Sequence, residues 1–232
     1  MPYGLGPVQK TLFLFDIDGT LLASGGAGIR ALELTTAEIF GDADISDIDI
    51  AGRTDLAITH QIFALHGRDP EPAAVTVFSD CYLSHLSRML PIVEGRLLPG
   101  IIELLEALKA RPDCVVALLT GNLERGAKLK LTHFGLWQYF EFGAYADDHH
   151  DRNELGPVAR RRAVECHGTE FPPERIFVLG DTPHDISCAR AIDARAVAIA
   201  TGRHSREILA EYQPDFLFDD LSDVPAVLAV LR

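Results

Sequence analysis

Lysine is scarce in this 232-residue chain: only Lys10, Lys109, Lys128 and Lys130 occur, and all 21 bases face 34 acids, giving a formal charge of -13. So large a negative excess repels nucleic acid and anionic membrane surfaces, and polyanion partners are excluded on that ground. An anionic small molecule is admissible only where a cluster of donors or a metal ion overcomes the background field. Cysteine is also rare. Cys81, Cys114, Cys166 and Cys188 stand far apart with no Cys-x-x-Cys pair, which excludes a zinc knuckle or a dithiol redox motif and suits buried thiols in a reducing compartment. No run approaches the roughly 18 apolar residues of a membrane span. The first apolar run, 12–15, is too short for a signal-peptide core. A soluble, cytoplasmic protein is expected.

Ordinary globular composition, 47% apolar and 24% charged, leaves room for one substantial core and a smaller unit. Short apolar runs at 11–15, 115–119, 176–179, 196–200 and 216–218 read as strands buried on both faces. Helical patterns lie between them, with Ile101, Leu104, Leu105 and Leu108 on one face and Val158, Arg162 and Cys166 spaced behind Pro157. Such alternation implies right-handed crossovers and a doubly wound, mainly parallel α/β sheet of Rossmann-like type. Residues 22–98 read differently, as helices at 29–40, 55–65 and 73–90 with no convincing strand. The division expected is a core of 1–21 and 99–232 with an all-helical insert at 22–98.

The strand ends carry the chemistry. They are Asp16-Ile17-Asp18-Gly19-Thr20, Thr120-Gly121-Asn122, Gly180-Asp181-Thr182-Pro183-His184-Asp185 and Thr201-Gly202. A parallel sheet brings such ends to one edge, where open α/β sheets bind ligands. Converging carboxylates raise one another's pKa unless a cation neutralises them, and an all-oxygen set suits Mg²⁺. A calcium loop beginning at Asp16 fails, since Leu21 stands where glycine is needed and Ala27 where a bidentate glutamate is needed.

DIDGT, LLTGN and VLGDTPHD, in that order, resemble the motif series of the haloacid dehalogenase superfamily of aspartate-dependent phosphohydrolases. The helical insert resembles that superfamily's small cap domain. The resemblance implies a Mg²⁺-dependent phosphatase acting on a small phosphorylated metabolite, arranged most like a phosphoglycolate phosphatase. By position, Asp16 would be the nucleophile, forming an aspartyl-phosphate, and Asp18 the general acid and base. Asp16, the carbonyl of Asp18 and Asp181 would hold the metal, with Asp185 as ligand or support. Thr120 would donate to a phosphoryl oxygen, and Gly121 and Asn122 would border the substrate.

One expected element is missing. The superfamily's usual lysine has no counterpart between Ala146 and Arg175, so an arginine must replace it, with Arg152 preferred over Arg160, Arg161 and Arg162. In the insert, Arg53 either binds a substrate anion or lies exposed where Thr54 caps a helix. Asp147 to Asp151 read as a hydrophilic loop, and His184 faces either substrate or solvent. Dehalogenation is disfavoured by the retained Asp18, and Schiff-base chemistry by the absence of lysine from 22–98. A sugar-phosphate mutase and an inactive regulatory homologue are the alternatives.

Overall fold

The computed structural model describes residues 9–231; the expected assignment of 1–8 to the core lies outside them. Strand β1, Thr11–Phe15, is buried along its whole length, as an apolar run flanked on both faces must be. Its alternating side chains serve two cores. Phe13 and Phe15 pack with Leu104, Leu108, Leu131 and Val227 on one side of the sheet, while Leu12 and Leu14 pack with Ala159, Ala163, Ile186 and Ala189 on the other.

The central sheet is completed by β4 (Cys114–Leu119), β5 (Gly143–Ala144), β6 (Ile176–Gly180), β7 (Arg195–Ile199) and β8 (Phe216–Phe218). Its order is β5-β4-β1-β6-β7-β8, and every neighbouring pair is parallel. The crossover helices are α4 (Ile101–Lys109), α5 (Glu124–His133), α6 (Leu155–His167), α7 (Pro183–Ala191) and α8 (Arg206–Glu211), with α9 (Val224–Val230) closing the chain. The doubly wound parallel architecture is the one expected, and it sets the ends of β1, β4 and β6 side by side.

Residues 27–89 form α1 (Ala27–Phe40), α2 (Asp55–Leu65) and α3 (Pro72–Met89). Leu32, Ile58, Ile62, Phe78, Tyr82 and Leu86 give these helices a separate apolar cluster. Leu123 and Ala146, from loops of the sheet, join that cluster and seam the helical unit to the strand ends. The chain enters and leaves the unit through two strands that the sequence did not announce, β2 (Leu22–Ala23) and β3 (Arg96–Leu97), paired antiparallel as Leu22 with Leu97 and Ala23 with Arg96. Gly25 fits this crossing because any Cβ would sit 2.3 Å from the carbonyl oxygen of Glu94, at a positive φ of 64°.

Two expectations are corrected. Helix α6 begins at Leu155, with Pro157 in its first turn, and buries Leu155, Ala159 and Ala163 rather than a stripe ending at Cys166. Proline is tolerated there because first-turn N–H groups have no partner within the helix. Of the cysteines, only Cys188 is buried; Cys166 is exposed and Cys81 and Cys114 are half-buried.

Candidate active site

The strand β1 delivers Asp16 into the junction, and the turn that follows folds back on itself: Gly19 N–H donates to the Leu22 carbonyl at 2.8 Å, with φ of 88° at Gly19. Ile17, fully buried, anchors this turn between the two aspartates. From β6, Asp181 follows Gly180. From α7, Asp185 forms a capping box with Thr182: Asp185 Oδ2 accepts the Thr182 N–H at 3.0 Å and its hydroxyl at 2.7 Å.

Asp16, Asp181 and Asp185 bring carboxylate oxygens within 4.8 Å of one another, all three buried. Burial pushes Asp16 up to about 6 against the opposing charge of Arg152, and the Asp185 and Asp18 charges raise it further. Burial, followed by the charges of Asp16 and Asp185, carries Asp181 well above the ordinary carboxylate range. Those carboxylates repel one another in a dry setting, which is the condition a divalent cation relieves. Bare backbone surrounds Asp181. A Cβ on Gly19 would meet its carboxylate at 2.4 Å, and one on Gly202 at 1.7 Å. The hard oxygen donors and their buried placement fit Mg²⁺.

Arg152 lies in a short 3₁₀ turn, 152–154, just before α6. One of its guanidinium nitrogens, Nη2, donates to Asp16 at 2.7 Å and Asp185 at 2.5 Å, and Nη1 donates to the carbonyl of Gly52 at 3.2 Å. Its Nε is buried without a partner among the described residues. Of the competing arginines, Arg162 is bound bidentately by Asp148 and Arg161 is exposed beside Glu165.

At the end of β4, Thr120 is fully buried, and its Oγ1 accepts from the Asn122 amide nitrogen at 2.9 Å and the Asn122 backbone N–H at 3.3 Å. With its acceptor capacity taken, the hydroxyl hydrogen is free to donate. Gly121 must be glycine, because a Cβ there would sit 2.2 Å from the Arg53 carbonyl oxygen. Asp55 N–H donates to the Gly121 carbonyl at 2.6 Å, and Thr54 Oγ1 donates to the His150 carbonyl at 2.6 Å. Thus the 50–55 loop of the helical unit rests directly on the strand-end loops. The cavity they enclose, about 400 Å³, is lined by Asp16, Asp18, Asp181, Lys130 and Arg152 from the sheet side, and by Ile29, Ile50 and Tyr82 from the helical side. A larger groove of about 730 Å³ between α3 and α5 is walled in part by Asp80 and Arg125, which form an ion pair, and includes no strand-end residue.

The haloacid dehalogenase-like hydrolase family matches this chain over residues 10–193. The chain belongs to that hydrolase family. Among its relatives, the probable phosphatase IndB of Dickeya dadantii is 28% identical over 223 residues, covering 93% of this chain and 92% of IndB. The phosphoglycolate phosphatase of Synechococcus elongatus is 27% identical over 221 residues, covering 94% and 98%. The fold is shared with a predicted phosphoglycolate phosphatase from Haemophilus somnus, with a TM-score of 0.71 at 22% identity over 96% of this chain and 100% of that one.

In this hydrolase the residues singled out by sequence meet at one place, with two qualifications. Arg53 borders the cavity, but its side chain is 39% exposed and held by Asp49 at 3.0 Å, while Thr54 caps α2 by accepting from Ala57. Asn122 also borders the cavity, yet its amide is engaged by Asp18, Thr120 and Lys130. His184 is half-buried beside Thr182, against Gly52.

Sequence reasoning missed Lys130. Its ammonium donates to Asp18 Oδ2 at 2.5 Å and to Asn122 Oδ1 at 2.6 Å, with only 5% of the side chain exposed. Its helical spacing from Gly126 and Ala127 places it on the buried face of α5, but spacing alone gives no sign of the carboxylate it meets. Burial works against its charge, but Asp18 and Asp55 outweigh that and raise the ammonium further. Burial alone would raise Asp18; the Lys130 charge and bonds from Lys130, Asn122 and Ser24 instead hold it below the ordinary range.

Among the described residues, no helix is long and apolar enough to cross a membrane.

Proposed function

We propose that this hydrolase is a Mg²⁺-dependent phosphatase that hydrolyses a small phosphomonoester through an aspartyl-phosphate on Asp16, with phosphoglycolate the first substrate to try. The observation that carries the reading is the cluster of Asp16, Asp181 and Asp185 held by Arg152, with Asp16, Asp181 and Arg152 opening onto one cavity and Thr120 buried at the neighbouring strand end. The phosphatase names of the relatives agree with it.

Asp16, the carbonyl of Asp18 and Asp181 would hold the metal, supported by Asp185, whose Oδ2 is already committed to Thr182. When bound, Mg²⁺ would supply neutralisation of phosphoryl charge. Arg152 steadies the nucleophilic carboxylate and offers guanidinium donors for phosphoryl oxygens, while the Thr120 hydroxyl donates to another. Attack forms a bond from Asp16 Oδ to phosphorus as the phosphorus–oxygen bond to the leaving group breaks, and Asp18 gives its proton to that oxygen. Water then attacks phosphorus, returns a proton to Asp18 and frees Asp16, so ester and water become alcohol and phosphate. Residues 22–98 act as the cap, with the 50–55 loop closing the cavity and Arg53, once released from Asp49, available to a substrate anion.

The test is phosphate release from a panel that includes phosphoglycolate, glycerol phosphates and hexose phosphates, with and without Mg²⁺. Metal-dependent release from wild type and a loss of at least about 1000-fold in Asp16→Asn are expected. Equal rates for the two proteins overturn the covalent mechanism. Isomerisation of a hexose phosphate without phosphate release would reassign the chain as a mutase.

A further inference from the structure

The two oxygens of Asp18 are not equivalent. Oδ2 accepts from the Lys130 ammonium at 2.5 Å and from the Asn122 amide nitrogen at 3.0 Å. Both partners are donors only, so Oδ2 cannot carry a proton while it faces them. Among the described residues Oδ1 has one partner, the Ser24 hydroxyl, at 3.3 Å. A hydroxyl rotates to donate or accept, so it tolerates Oδ1 with or without hydrogen. The exposures follow the same division: Asp18 keeps 38% of its side chain open beside the cavity, whereas Lys130 keeps 5%.

Lys130 is held rigidly. It projects from the buried face of α5, flanked by Ala127 and Leu131, both at 0% exposure. Its second contact, Asn122 Oδ1, closes a triangle with Asp18, since the same amide donates to Asp18 through its nitrogen. The ammonium therefore cannot follow a carboxylate that swings away.

We propose that Lys130 is a positioning residue, which with Asn122 fixes the carboxyl plane of Asp18 and reserves Oδ1 as the single atom through which protons pass between Asp18 and the substrate. The inference rests on the phosphatase reading above and adds a residue to it. In the first half-reaction the Oδ1 hydrogen goes to the leaving oxygen as its bond to phosphorus breaks, and the charge left on Asp18 is next to the ammonium. In the second, the attacking water returns a proton to Oδ1.

Leaving groups that differ in their need for a proton test this directly. Ethyl phosphate expels an alkoxide that must be protonated, whereas 2,4-dinitrophenyl phosphate expels a stable phenolate. The quantity to compare is kcat/KM, which reads only as far as the aspartyl-phosphate. Lys130→Met should lower it about 100-fold for the ethyl ester and less than about tenfold for the dinitrophenyl ester. Equal losses on both esters would assign Lys130 to phosphate binding or packing and overturn the proposal. A gain on the ethyl ester would overturn it as well, because Lys130 would then only be holding Asp18 ionised.

If Lys130→Met does not fold, as judged by its thermal transition, Lys130→Arg retains the buried charge. A planar guanidinium is bulkier than an ammonium and directs its donors differently, so any folded Arg variant should shift the Asp18 carboxyl and lose selectively on the ethyl ester. An equal loss on both esters, or none, refutes the proposal. Wild-type protein that cleaves neither ester with Mg²⁺ would remove the phosphatase reading and this inference together. Wild type that cleaves both, with variants that do not discriminate, removes the inference alone.

Discussion

The Asp55 carboxylate, in the first turn of α2, accepts the backbone N–H of Leu123 at 2.8 Å, 68 positions away, tying the helical unit to the loop that carries Thr120 and Asn122. Removing the acceptor leaves that buried N–H unpaired, which costs about 1–3 kcal/mol. Asp55→Ala should therefore lower the thermal midpoint by about 2–12 °C, at about 2–4 °C per kcal/mol for a chain of this size. An unchanged midpoint would mean that water replaces the bond and that the junction is wetter than described.

Metal-free protein should grow less stable as pH rises through the range from about 4 to about 6. Asp16 and Asp55 are both raised to about 6, chiefly by burial, so between those limits the folded chain holds protons that the unfolded chain has released. The stability this supplies is complete below the unfolded carboxylate pKa of about 3.9 and is lost as pH passes the folded value. Midpoints measured with EDTA across this range should fall, and Asp16→Asn should flatten the fall. Saturating Mg²⁺ should abolish the Asp16 share; a slope indifferent to both would show that burial does not raise Asp16 in the folded chain.

Gly202→Ala tests the metal site without altering a ligand. The added Cβ would overlap the Asp181 carboxylate, while Gly202 is not at a positive φ that would strain alanine. Displacing one ligand by about 1 Å should raise the Mg²⁺ concentration for half-maximal activity at least about tenfold, with little change in thermal midpoint. Mg²⁺ titration by calorimetry would check the affinity independently.

Substituting lysine for Arg152 offers one nitrogen for contacts that the guanidinium divides among Asp16, Asp185 and the Gly52 carbonyl. Arg152→Lys should fold and lose about 10- to 100-fold in kcat/KM, and Arg152→Met should lose more. Steady-state rates on the best substrate of the panel decide the order.

The elements most legible in the sequence are those whose environment is uniform. Strand β1 could be read because both its faces are apolar and its end is marked by acids, and the same holds for β6 ending at Asp181. Strands β2, β3 and β5 have two residues each, too few for any periodicity, and exist because their partners are brought to them. Helix α6 was misjudged because Pro157 looks like a first residue, whereas the preceding 3₁₀ turn runs straight into the helix at Leu155. Arg152 could be reached through the family resemblance, which implies a basic residue before β6 where the segment holds arginines and no lysine. Lys130 could not. Its contact with Asp18 spans 112 positions, and nothing local to α5 says that its buried face ends beside a carboxylate.

The paired strands β2 and β3 have a mechanical consequence. Because the outgoing and returning segments are hydrogen-bonded to each other, Leu22 with Leu97 and Ala23 with Arg96, they cannot swivel separately as two loose tethers would. A ribbon joined in this way would bend as one piece, so a movement of α1, α2 and α3 about it would follow a single arc whose return restores the Asp55 contact with the Leu123 N–H.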